Sequence, residues 1–392
     1  MRVLMLTQTT PYLPTHDRAR MVPAYLLAHL AERHSIALIA PDRRGDTPAQ
    51  QAWAASLVAL ARRAPVSRWR QSVTGAPGDG VAAFRKAALE TVAAWAPDVV
   101  HLEGALLAPL AGALPVPVVL GCRESAVRRA REARRLARAP GEWMRAQFEE
   151  RGAMEWEARW LRAARACVVG SEDDRQVLAE RVPLERVEVI PGGVDETRYD
   201  FRRAPEGKRI VFAGNLAWPT HLEAARRLAT RVVPLVRRTL PQAELLVIGG
   251  GPLTALRSLA QAPGVRVAGI SSDLRPGLRS AAVALVPSET GPGVDAAVLE
   301  AMALGTPVVA GARSLSGLAH VLPGHHLLVA DSDAEIAEAA LLVLREPVVS
   351  ETLATNARQL VERHYTWAAV ARAYASLWAR AADAAPARTV AA

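Results

Sequence analysis

Glycine, carboxylate and small hydroxyl side chains converge on one stretch of this sequence, Val286-Pro287-Ser288-Glu289-Thr290-Gly291-Pro292-Gly293-Val294-Asp295. A buried strand ends there, a glycine-bearing turn follows, and a helical pattern runs from Val294 to Leu304 before the apolar pair Val308-Val309. The unpaired N–H groups of such a helix start, helped by the helix dipole, form an anion site. Gly291 and Gly293 present no Cβ, so backbone at these positions can approach a phosphate closely. Glu300 stands about two turns into the helix, where a carboxylate can accept both hydroxyls of a ribose. The competing reading of Glu300 is a solvated helix carboxylate, the ordinary setting for an acidic side chain.

A site of this kind needs strands that end at it and helices that cover them. Short apolar runs alternate with helical patterns along the whole chain, which predicts parallel sheets wound with helices. In the first half the strands are expected at Val3–Leu6, Ile36–Ala40, Val99–Leu102, Val116–Leu120, Ala166–Val169 and Val187–Ile190, with amphipathic helices such as Met21–Arg33 and Val81–Trp95 between them. In the second half they are expected at Ile210–Ala213, Leu245–Ile248, Val265–Ala268, Val283–Val286 and Val308–Ala310. Helices are expected there at Pro219–Arg238, Leu253–Ala262, Asp273–Ala281 and Val294–Leu304. Between the halves, Pro191-Gly192-Gly193-Val194-Asp195 and the charged stretch from Arg198 to Lys208 lack periodicity and read as a linker. The expected organisation is an N-terminal domain over 1–200, a second domain over 201–366, and a last helix from Trp367 crossing back to the first, followed by a tail. Two Rossmann-like halves of this kind place a ligand at the carboxyl ends of both sheets.

Composition narrows the functional classes. Of the 392 residues 51% are hydrophobic and 22% charged, the balance of a globular chain with about two cores. No apolar run approaches the ~20 residues of a membrane span, and the opening Met1-Arg2-Val3-Leu4-Met5-Leu6-Thr7 has no signal-peptide layout. Cys122 and Cys167 flank expected buried strands and are read as buried free thiols, which together predicts a cytoplasmic protein. The net charge of +9 is almost wholly arginine, since Lys86 and Lys208 are the only lysines. Such a surface suits anionic partners, but the chain has no zinc-finger spacing, RNA-recognition signature or aromatic-interleaved basic groove, so no nucleic-acid partner is expected.

The pattern Pro287-Ser288 … Glu300-Ala301-Met302-Ala303 with Gly305-Thr306-Pro307-Val308-Val309 resembles the donor-site signature of the retaining glycosyltransferase family 4 group. The resemblance extends in order through Val211-Phe212-Ala213-Gly214-Asn215-Leu216, Leu246-Val247-Ile248-Gly249-Gly250-Gly251-Pro252, Val265-Arg266-Val267-Ala268-Gly269-Ile270, Pro323-Gly324-His325-His326 and Tyr365-Thr366-Trp367. In the first half it is carried by the opening strand, Asp98-Val99-Val100-His101 and Gly170-Ser171-Glu172. The resemblance implies an α/β fold of the GT-B type, two Rossmann-like domains facing across a cleft, with the activated-sugar donor on the C-terminal domain and the acceptor on the N-terminal one. It implies that Glu300 holds the donor ribose and that Gly214 and Asn215 lie beside the diphosphate. Ile270 would meet the nucleobase through backbone groups, Gly250 would lie at a neighbouring strand end, and Gly293 and Val294 would touch donor phosphate.

The chain departs from the family pattern at three places. Pro292 stands where the first carboxylate of the family's glutamate pair belongs, with Glu289 three residues upstream as the substitute. Gly214-Asn215-Leu216-Ala217-Trp218-Pro219-Thr220-His221 lacks the family's arginine and lysine, so no cation follows the strand before Arg226. The glycine-rich loop after the first strand is replaced by Pro14-Thr15-His16-Asp17-Arg18-Ala19-Arg20, whose Arg18 and Arg20 read either as the source of the missing positive charge or as solvated loop arginines. Arg123 and Glu124 occupy the neighbourhood of the family's N-domain histidine and are expected on the acceptor side. His101, at the preceding strand end, reads either as a catalytic candidate or as a structural histidine. The arginine run from Arg123 to Arg138 reads either as a solvated helix face or as a dock for an anionic lipid surface or a phosphorylated acceptor.

Together these features predict a retaining, hexosyltransferase-like enzyme. The expected donor is a nucleotide-diphosphate sugar, and the expected acceptor is a small molecule, glycan or lipid-linked molecule. No metal or other cofactor is expected, and peripheral membrane contact is the remaining partner expectation. The alternative, motivated by the missing cations and the displaced carboxylate, is a GT-B-like binding or partner subunit without catalysis.

Overall fold

The structure is a computed structural model; it describes all residues except 16, 43–45, 66–78, 138, 202–204, 206, 270–272, 288–295 and 384–392, and the side chains of 18, 79, 80 and 296 also fall outside the description. The chain forms two compact units, one of Met1–Ile190 with Val370–Ala392 and the other of Pro191–Ala369.

The first unit is built on seven strands: β1 (Arg2–Thr7), β2 (Ser35–Asp42), β3 (Leu60–Pro65), β4 (Val99–Glu103), β5 (Val118–Arg123), β6 (Ala166–Val169) and β7 (Val187–Val189). They form one parallel sheet in the order β3-β2-β1-β4-β5-β6-β7. The second unit has β8 (Arg209–Ala213), β9 (Glu244–Ile248), β10 (Val265–Gly269), β11 (Val283–Val286), β12 (Val308–Ala310) and β13 (Leu328–Val329), also parallel, in the order β10-β9-β8-β11-β12-β13. Strands buried on both faces are near-continuous apolar runs. In β8, Ile210 and Phe212 enter one core cluster while Val211 and Ala213 enter the other, on the opposite face.

Several elements differ from the sequence expectations for identifiable reasons. β3 was not expected, because Leu60-Ala61-Arg62-Arg63-Ala64-Pro65 is an edge strand whose arginines reach Thr91, Glu90 and Asp46 rather than a core. β5 runs from Val118 to Arg123 rather than from Val116 to Leu120, with a register shift between Gly121 and Arg123. The helix expected over 219–238 is interrupted by a π turn at Leu228–Val232. Pro234 lies just beyond it and lacks the N–H that a continuous α-helix would use. The first unit ends at Ile190, before residue 200, because the Ile190 N–H still pairs with the Val169 carbonyl at 2.9 Å while Val194 already bridges Thr366. The last helix, Trp367–Asp383, joins the first unit from Val370 onward. Cys122 and Cys167 are both buried and free.

Candidate functional site

Each sheet changes winding direction once, between β1 and β4 in the first unit and between β8 and β11 in the second. Loops that leave a doubly wound sheet in opposite directions part at such a point, and the crevice at the strands' carboxyl ends is where ligands bind.

At the second switch point the loops after β8 and β9 are drawn together by glycine. The Gly214 N–H donates to the Ile248 carbonyl at 3.0 Å, and the Gly249 N–H to Gly269 at 2.9 Å. Gly249 has φ +153°, and a Cβ there would stand 1.8 Å from the Gly214 carbonyl oxygen. A Cβ on Gly251 would lie 2.7 Å from that of Leu216, and one on Gly214 would lie 2.9 Å from His221 Nδ1. Asn215 shapes the turn that follows, its Oδ1 accepting from the Ala217 N–H at 3.1 Å and its carbonyl from Trp218 at 3.0 Å. Helix Pro219–Arg227 starts immediately afterwards with proline in its first turn. Gly214, Asn215 and Gly250 thus lie on the two loops at one edge of the crevice.

Glu300 is on the helix Ala296–Leu304, which follows β11 on the other side. Its neighbours Leu299, Ala301 and Met302 are buried in the core, while Glu300 itself is half-buried. Tyr199 hydrogen-bonds to it; burial first, then the Glu300 charge and that bond, raise the phenol's pKa and keep its proton in place. The backbone beside Tyr199 is held by three arginines. Arg275 Nη1 donates to the Arg198 carbonyl at 2.9 Å, Arg279 pairs with Asp200, and Arg358 Nη1 bonds both the Tyr199 carbonyl and, at 2.7 Å, the Ala303 carbonyl. Sequence reasoning missed Tyr199; a tyrosine in a charged linker carries no signal of its own. Glu289, Ile270, Gly293 and Val294 lie outside the described residues.

In the first unit the expectations for charged groups are revised. His101 is not an open acid or base: it is fully buried, its Nε2 lies 3.2 Å from Glu103 Oε2, and Trp378 Nε1–H donates to its Nδ1 at 3.4 Å. An indole N–H only donates, so Nδ1 is the acceptor and the Nε2–H donates to the Glu103 carboxylate. Arg123 closes the chain, its Nε 3.3 Å from Glu103 Oε1, at a backbone φ of +62°. Glu124 pairs with Arg129 at 2.8 Å.

Among the described residues of the arginine run, Arg129 and Arg135 are exposed while Arg128, Arg131 and Arg134 are held in ion pairs. Arg128 pairs with Asp174 at 2.6 Å, Arg131 with Glu150 at 3.0 Å and Glu180 at 2.8 Å, and Arg134 with Glu150 at 2.6 Å. Arg131 holds the Glu180 carboxyl below its usual range by hydrogen bonding. These pairs tie helix Ala126–Leu136 to helix Pro140–Trp160 and to the end of helix Glu172–Ala179.

Arg18 opens the helix Arg18–Leu30, and its side chain lies outside the description. Arg20 is not an uncommitted cation. It pairs with Asp17 at 3.1 Å and Asp46 at 3.0 Å, donates to the Thr10 carbonyl at 3.2 Å, and lies 5.1 Å over the Tyr12 ring. The Asp46 side chain is only 2% exposed, and Arg63 is its second cation at 3.7 Å. Because Arg63 remains, Arg20→Ala is expected to cost about 2 kcal/mol of stability, below the usual penalty for breaking a buried pair. Urea denaturation measures this, and a loss under about 0.5 kcal/mol, the scale of a surface change, would refute the structural assignment.

Comparison with known proteins agrees with this arrangement. The family described as "Glycosyltransferase Family 4" matches residues 21–198, and that described as "Glycosyl transferases group 1" matches residues 207–346. The chain belongs to the glycosyltransferase family 4 group. Among similar proteins is the phosphatidyl-myo-inositol mannosyltransferase of Mycobacterium leprae (strain TN), 31% identical over 198 residues. That match covers 46% of this chain and only 50% of the mycobacterial protein. Sucrose-phosphate synthase from Thermosynechococcus elongatus shares the fold with a TM-score of 0.70 at 17% identity, covering 98% of this chain and 100% of that one. Anabaena HepE, solved in complex with UDP-glucose, has a TM-score of 0.64 at 14% identity, covering 97% and 100%. The fold class of this chain is GT-B, with two Rossmann-like α/β domains. Among its described residues no helix is long and apolar enough to cross a membrane.

Proposed function

We propose that this chain transfers a hexosyl group from a nucleoside-diphosphate sugar to an acceptor with retention at the anomeric carbon and without a bound metal. The observation that carries the reading is Glu300, half-buried on the helix that follows β11, together with the loops after β8 and β9, which Gly214, Gly249 and Gly251 pack to backbone contact beside the switch point. A carboxylate there accepts the ribose diol, and the glycines, having no Cβ, let a diphosphate approach the loop backbone closely. The sugar–phosphate bond breaks, the nucleoside diphosphate leaves with the bond electrons, and the acceptor hydroxyl passes its proton to the departing phosphate oxygen as its own oxygen bonds the anomeric carbon. The HepE complex with UDP-glucose and the mannosyltransferase name of the mycobacterial relative support a hexose donor. The two free thiols support a reducing, cytoplasmic setting.

Glu300→Ala is expected to weaken binding of UDP, or of whichever nucleoside diphosphate the parent prefers, by ~1.5–3 kcal/mol, the range for hydrogen bonds to a charged group. Tm should fall by no more than about 3 °C, since roughly one hydrogen bond to Tyr199 is lost. Calorimetric titration of parent and variant decides it, and equal affinity would remove Glu300 from the donor site. The commitment of Arg20 to Asp17 and Asp46 favours a second reading, nucleotide binding without turnover. Release of nucleoside diphosphate from a donor panel separates the two.

A further inference from the structure

We propose that Tyr199 is a positioning residue of the donor site, its hydroxyl holding one oxygen of Glu300 so that the other faces the ribose diol. The proposal rests on the reading that Glu300 binds the ribose.

Two sets of contacts bring Tyr199 to the helix of Glu300. The Arg358 guanidinium bonds the carbonyls of both Tyr199 and Ala303. Ala303 lies three residues after Glu300, on the same helix face. Arg358 is itself fixed by Glu362 at 2.7 Å on the helix Pro347–His364. The Tyr199 ring packs against the core cluster that contains Val298, Leu299 and Met302. An apolar surrounding of this kind penalises a hydroxyl without a partner, and the partner of this one is Glu300. The backbone on either side is pinned by Arg275 at Arg198 and by Arg279 at Asp200. The phenol therefore has little freedom to leave the carboxylate, and the carboxylate little freedom to rotate. A carboxylate fixed before binding loses less entropy when a diol arrives, which is the advantage of preorganisation.

This arrangement makes predictions that a merely space-filling tyrosine would not. Tyr199→Phe keeps the ring and removes only the hydroxyl, so its Tm and near-UV circular dichroism should match the parent. UDP affinity should fall about fivefold, a loss of ~1 kcal/mol. In a Glu300→Ala background the same change should have no further effect on UDP, and 2′-deoxy-UDP should respond less than UDP to Tyr199→Phe. Titration of the parent, both single variants and the double variant with both nucleotides forms the test, with GDP, ADP and their 2′-deoxy forms substituted if the parent prefers another base. If Glu300→Ala binds as the parent does, or the parent binds no nucleoside diphosphate, the ribose reading falls and this proposal with it. If Glu300→Ala weakens binding but Tyr199→Phe does not, or does so equally without Glu300, only the positioning role is overturned. Tighter binding by Tyr199→Phe would also overturn it, since the phenol would then be a competitor of the ribose.

Discussion

Gly249→Ala is expected to destabilise the second unit by about 3–5 kcal/mol and to abolish nucleotide binding. Its added Cβ would stand 1.8 Å from the Gly214 carbonyl oxygen, a backbone atom that cannot swing aside. The collision forces the loop after β8 away from the loop after β9, at the ~1–3 kcal/mol typical of overpacking. The φ of +153° adds conformational strain of roughly 1–3 kcal/mol for a residue with a side chain. Gly324→Ala separates the two contributions, because Gly324 has φ +79° with nothing within 4 Å of its would-be Cβ. That variant should lose only about 1 kcal/mol. Calorimetric unfolding of both, with UDP titration of each, is the measurement. A Gly249→Ala protein as stable as Gly324→Ala would mean that the two loops are not in contact.

Glu103→Ala is expected to cost about 3 kcal/mol, nearly all of it in the first unit. The side chain is 1% exposed, accepts from the His101 Nε2–H at 3.2 Å and forms an ion pair with the Arg123 guanidinium at 3.3 Å. Removing the carboxylate leaves the His101 N–H buried without an acceptor, a penalty of ~1–3 kcal/mol. Arg123 loses an ion pair but is 34% exposed, so water offsets much of that loss. Glu103→Gln, which retains an acceptor for His101, should recover more than half of the difference. Urea unfolding of the three proteins tests this, and equal losses for Ala and Gln would assign the effect to the charge alone.

Legibility in the sequence followed burial. The strands expected from apolar runs were found because both faces of a parallel sheet are covered, so that β6 and β11 are apolar throughout and β1 is apolar from Val3 to Leu6. β3 escaped because its residues satisfy an edge rather than a core. Arg20 was legible as a cation near the end of β1, but not as a neutralised one, since Asp46 comes from the connection after β2, 26 residues further along the chain. His101 was legible as a histidine at a strand end. Its tautomer is set by Trp378, which arrives from the last helix of the chain.

By itself, then, the sequence determined the α/β class, the strand–helix alternation and the glycines and carboxylate of the donor-like loops, together with the family resemblance. These are local properties: hydrophobic period, turn chemistry and spacing act between near neighbours in the chain. Only the tertiary structure decided which charges are paired and which side chain holds which. It placed Tyr199 against Glu300, Asp46 beside Arg20, and Glu103 between His101 and Arg123. Ion pairs and hydrogen bonds act over a few ångströms, and folding brings residues far apart in the chain within that range.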